Sequence, residues 1–98
     1  MADLTVANTI KNQIGGKALF MIGAKNLVGS EDSLSFRIGK NSEKINYVKI
    51  TLTPADLYDI EYGWIRGMKY TVKAKDEGFY CDMLHESIER NTGLYTSL

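Results

Sequence analysis

The chain has 98 residues, 44% of them hydrophobic and 24% charged, with twelve basic side chains balancing twelve acidic ones. This describes one ordinary globular domain with a modest core, and the charge balance excludes both a uniformly basic duplex-DNA binder and a whole-surface acidic DNA mimic. A single cysteine, Cys81, excludes an internal disulfide and a Cys-x-x-Cys metal site and points to a reducing compartment.

Val6, Ile10 and Ile14 recur every four residues and predict a short amphipathic helix, capped by Asp3 or Thr5 and closed by Gly15-Gly16. Ala18 to Ile22 is the longest apolar run. It is far too short to span a bilayer, and its length and flanking glycines predict a buried strand. The N-terminus shows no charged segment followed by an apolar one, so a cytoplasmic protein is expected. Residues 23–32 read as a loop.

Two alternating strands follow. Leu34, Phe36 and Ile38 share one face of the first, and Ser35 and Arg37 the other. Gly39 to Lys44 reads as a turn, predicting an antiparallel hairpin. In the second strand Val48, Ile50 and Leu52 face the core, and Tyr47, Lys49 and Thr51 face away. Thr53-Pro54-Ala55-Asp56 predicts a helix start and Gly63 its stop, with Leu57 and Ile60 pointing inward. Met68, Tyr70, Val72 and Ala74 alternate with Lys69, Thr71, Lys73 and Lys75 in a further strand. Asp76-Glu77-Gly78 predicts a turn, Phe79-Tyr80 a short return, and Asp82 the cap of a last helix ended by Gly93. The apolar tail from Leu94 to Leu98 is expected to pack back on the body or into a partner.

The resulting order is α-β-β-β-α-β-(β)-α. It predicts a single α+β domain over residues 1–98, with a mostly antiparallel sheet of four to five strands and about three helices.

No catalytic constellation emerges. His85 and Cys81 fall four residues apart, but nothing orients either, so both read as structural. Asp56 and Asp59, as i,i+3 neighbours, read as a cap and a solvated face in preference to a cation site. No phosphate loop, cofactor motif or metal set is present. The more informative residues are basic and aromatic. Arg37, Tyr47 and Lys49 share the polar face of two strands, and Lys69, Lys73 and Lys75 share a face of another. If those strands are neighbours, the face suits single-stranded nucleic acid or a nucleotide; otherwise its lysines protect strand edges. Lys25, in the loop over residues 23–32, is added as an anion contact. Trp64, Tyr58 and Tyr95 are either core seals or anchors of an interface, which leaves a homo-oligomer open.

Thr9-Ile10, Gln13 to Gly16, Met21 to Asn26, Leu34 to Arg37, Ile50 to Leu52, Asp56 to Asp59 and Thr92 to Tyr95 together resemble a family of short hypothetical proteins. That family occurs in tailed-phage and mobile-element genomes, and the resemblance spans nearly the whole chain. It carries no catalytic or ligand residues. It implies a phage-type accessory protein in the cytoplasm of a bacterial host cell, acting by binding and not as an enzyme. The implied partner is a host protein, as in counter-defence, or a small nucleotide-like ligand. A single-stranded nucleic-acid-binding accessory protein is the alternative, and no membrane partner is expected.

Overall fold

The computed structural model describes residues 4–39, 43–94 and 96. Its centre is a five-stranded antiparallel sheet whose strands lie side by side in chain order. They are β1 (Lys25–Gly29), β2 (Ser33–Arg37), β3 (Tyr47–Leu52), β4 (Tyr58–Arg66) and β5 (Lys69–Phe79). Helices α1 (Thr5–Ile14) and α2 (Gly16–Met21) come before the sheet, and a 3-10 turn (Cys81–Met83) and α3 (Leu84–Thr92) after it. The α+β class and the antiparallel sheet agree with the sequence pattern.

The period-two alternation decides which face is covered. Leu34 and Phe36, Val48 and Ile50, and Tyr58, Ile60 and Tyr62 all point one way and are buried. Ala7, Ile10 and Ile14 of α1 and Leu84 and Ile88 of α3 meet them in one cluster. Each fully buried side chain of this size contributes about 1.5–3 kcal/mol. His85 ties the two helices together: its Nε2–H donates to the Ile14 carbonyl at 2.6 Å. The tail returns as expected where it is described. Leu94 packs on the core, and the Thr96 amide and hydroxyl both donate to Glu89 Oε2, at 2.9 and 2.8 Å.

Within this frame several elements differ from expectation. Ala18 to Ile22 is not a strand: it lies mostly in α2, where Ala18 and Leu19 are buried and Phe20 is 83% exposed. Alanine, leucine and methionine are strong helix formers, and they prevail over run length here. The expected loop over residues 23–32 contains β1, bent by Asn26 at φ 55°. The expected helix from Pro54 is absent. Thr53 to Leu57 forms a tight connection in which Asp56 donates its N–H to the Thr53 carbonyl and Thr53 donates its own to Leu57. Threonine, proline and aspartate also suit a turn, with proline at its second position, and Asp56 stands at φ 61°. Tyr58, Ile60 and Tyr62 then alternate into β4.

Asp76-Glu77-Gly78 is not a turn, and Phe79 does not return along β5. β5 runs straight through, with Glu77 and Gly78 both opposite Asp59 in a bulge. Gly78 supplies φ 72° there, and its N–H donates to Asp59 Oδ1 at 3.1 Å. The expected caps also differ. Leu4 precedes α1 and Met83 precedes α3, neither with a side-chain capping bond. Asp3 lies outside the described residues, and Asp82 falls inside the 3-10 turn. Gly93 ends α3 in the left-handed region, as expected.

Both edges of the sheet are irregular. β1 bulges between Lys25 and Val28, and β5 between Val72 and Ala74, where Lys73 is the extra residue. Bulges and lysines at edges disfavour pairing with a further strand. The side chain of Asn46 lengthens the sheet by one step, donating to the Ile65 carbonyl at 2.8 Å and accepting from the Ile65 N–H at 2.7 Å.

Candidate functional site

Among the described residues no helix covers the sheet face opposite α1 and α3, and the side chains of that face fall into rows set by strand register. One row runs Lys25, Arg37, Tyr47 and Gly63 across β1 to β4. The next runs Ser35, Lys49, Glu61 and Lys75 across β2 to β5. The third runs Ser33, Thr51 and Asp59. Basic groups therefore stand on β1, β2 and β3 and again on β5, with the acidic groups between them on β4.

Register thus brings Lys25, Arg37, Tyr47 and Lys49 onto one face. It does not bring Lys69 there. Lys69 is opposite Arg66, on the side shared by Tyr62 and Trp64, because the extra residue Lys73 reverses the alternation of β5. The same reversal turns Tyr70 and Val72 to the side opposite Ala74, with which strict alternation would group them; they are 42% and 51% exposed. The face expected from Arg37, Tyr47, Lys49, Lys69 and Lys73 is therefore not assembled as such, and the acidic Glu61 separates Lys49 from Lys75.

Tyr70 was missed as a face residue. Its ring meets that of Tyr47 edge-on, with centroids 5.4 Å apart and an interplanar angle of 80°. Its hydroxyl donates to Glu61 Oε2 at 2.6 Å. Partial desolvation and the adjoining Glu61 carboxylate push this hydroxyl well above its ordinary pKa. Alternation with lysine was the only cue to Tyr70, and no residue pattern announces the bulge that reorients it.

Lys49, Thr51, Asp59, Glu61 and Lys75 line a shallow hollow of about 170 Å³. Ligand pockets usually span about 300–1,000 Å³, so this hollow suits one projecting side chain of a partner better than an enclosed small molecule. Two lysines and two carboxylates around it leave its rim without net charge.

The other candidates are placed as follows. Tyr58 is buried and donates to Gln13 Oε1 at 2.6 Å, so it seals the core and anchors no interface. Trp64 is partly exposed on the helix side of β4, and Tyr95 lies outside the described residues. Asp56 sits in the β3–β4 connection and Asp59 on β4, so they are not helical neighbours. Cys81 is exposed in the 3-10 turn. Among the described residues no group of three or more His, Cys, Asp or Glu side chains is arranged to hold a metal ion. No helix among them is long and apolar enough to cross a membrane.

Tyr62 anchors a buried polar chain behind this face. Ser87 donates to Asp76 Oδ2 at 2.6 Å, so the Tyr62 hydroxyl, 2.6 Å from Ser87 Oγ, is the donor to serine. Arg90 and Asn91 each donate to the same carboxylate oxygen at 2.8 Å. This network ties α3 to β4 and β5 behind the open face.

The chain matches no family model, no characterised protein and no solved structure with which it was compared.

Proposed function

We propose that the protein is a phage-type accessory protein that acts by binding, not by catalysis, and that it docks a host protein on the open face of its sheet. Counter-defence is the role that fits such a protein. The observation that carries the reading is the exposed face itself, with Lys25, Arg37, Tyr47 and Lys49 in adjoining rows and Glu61 and Asp59 beyond them. Basic side chains on β1 to β3 beside an acidic pair on β4 favour one orientation of a complementary surface and speed its encounter. A macromolecule is favoured over a small nucleotide-like ligand because the hollow on this face is small.

Charge reversal tests this. Tagged wild-type protein and an Arg37→Glu/Lys49→Glu variant are used to retain proteins from a bacterial host extract. The expected result is a defined host protein held by the wild type and lost by the variant, with the two purified proteins then binding directly. Identical retention by both forms would overturn the reading. So would a rise in melting temperature with a nucleotide that is lost on Tyr47→Ala, which would reassign the face to a small ligand.

A further inference from the structure

The β4–β5 hairpin carries a second polar surface, on the helix side of the sheet near the turn. Residues 62–75 hold four basic side chains and no acidic one, in a chain whose charges balance overall. Two of these, Arg66 and Lys69, stand directly opposite each other beside the Gly67-Met68 turn. Like charges in that position oppose strand pairing. Both side chains are exposed, and neither has an ion-pair partner among the described residues. The next pair on the same side is Trp64 opposite Thr71. Two steps along a strand cover about 6.8 Å. An aromatic ring and a hydroxyl thus stand one row behind two uncompensated cations, a separation comparable to that between base and phosphate in one nucleotide.

We propose that this end of the hairpin binds single-stranded nucleic acid, with a base against Trp64 and a backbone phosphate between Arg66 and Lys69. A phosphate there replaces the repulsion of the two cations by attraction to both. Stacking on an aromatic ring is tolerant of base identity, so the contact is sequence-independent. An anionic lipid surface fits less well. Met68 is fully exposed at the turn, but Tyr70 is held down on the sheet by Glu61, which leaves Met68 alone at the apex. The site lies on the opposite side of the sheet from the proposed protein-docking face and is independent of it.

Trp64 is the sole tryptophan of the chain, so its emission reports the contact directly. The probe is a thymidine oligonucleotide of roughly 15 nucleotides, titrated at about 50 and about 200 mM salt. Quenching is expected, with affinity falling along a log–log salt slope of about −0.7 for one phosphate on a single strand. Arg66→Glu places a carboxylate opposite Lys69, so it preserves or raises the melting temperature while weakening binding at least about tenfold. Arg37→Glu, on the other face, leaves the titration unchanged. The proposal is overturned by absence of quenching up to about 50 µM oligonucleotide. Binding by Arg66→Glu as tight as wild type also overturns it. So does a blue shift of Trp64 with phosphatidylserine vesicles but not with the oligonucleotide, which would assign the hairpin to a membrane.

Discussion

The ring of Tyr70 fills the space in which a side chain at Gly63 would stand. A β-carbon built on Gly63 would lie 2.6 Å from both Cζ and the hydroxyl oxygen of Tyr70. Gly63 occupies the outward position that follows Arg37 and Tyr47 in its row, and its missing side chain lets an aromatic from β5 lie across β4. Gly63→Ala is expected to displace the ring, break the bond to Glu61 and cost about 1–3 kcal/mol in urea denaturation. In a Tyr70→Ala background the same substitution should cost almost nothing. An undiminished cost there would mean that the ring is not the cause.

Asp76 holds three donors from α3 on one carboxylate oxygen. Asp76→Ala is expected to destabilise the fold by about 2–3 kcal/mol, since it leaves buried Ser87 without its acceptor and releases Arg90 and Asn91. Hydrogen exchange should show the loss first in α3. Uniform acceleration over the whole sheet, with α3 no worse than the rest, would mean that the network does not anchor the helix.

Asn26 stands at φ 55° in the β1 bulge, where a β-branched side chain is strained. Asn26→Val should therefore cost about 1–2 kcal/mol, whereas Asn26→Gly should be close to neutral. Equal melting temperatures for the two variants would show that this conformation is not required.

At alkaline pH Tyr62 governs stability. Burial raises its hydroxyl far above the ordinary value of 10.0, with the Ser87 hydrogen bond partly offsetting and Asp76 adding to the rise. The folded protein keeps this proton where the unfolded chain loses it. Its contribution is complete below pH 10.0 and declines as pH climbs above that value. Tyr58 and Tyr70 are raised too and act in the same direction. Urea midpoints measured from about pH 8 to about pH 11 should hold level and then drop, and Tyr62→Phe should flatten the drop.

Acid acts on the chain end. Hydrogen bonds from the Thr96 amide and hydroxyl lower the Glu89 carboxyl below its ordinary 4.5. The docking of the tail is therefore complete above pH 4.5 and lost as pH falls through the lower folded value. The Thr96 amide resonance should titrate with Glu89. A resonance unmoved through that range would place the tail elsewhere.

The readable parts of this fold were those in which one periodicity ran uninterrupted. β2 and β3 alternate cleanly, and α1 repeats every four residues, so each was legible together with its buried face. Where a residue type serves two structures, the sequence is ambiguous. Thr53-Pro54-Ala55-Asp56 is as good a turn as it is a helix start, and Gly78 serves a bulge as well as a turn. The site was half legible for the same reason. Arg37, Tyr47 and Lys49 follow from alternation alone, but Lys69 and Tyr70 exchange sides because of one extra residue at Lys73. Nothing local distinguishes that lysine from its neighbours, since a bulge is set by how two strands fit each other.

The kinked margins of the sheet constrain how this molecule meets others. With Asn26 bending one border and Lys73 interrupting the other, neither border offers an even run of main-chain donors and acceptors. Strand addition at either border is therefore disfavoured, and any partner of the sheet has to be met by side chains instead of main chain. Recognition of that kind can be retuned one codon at a time, without disturbing the framework that presents it.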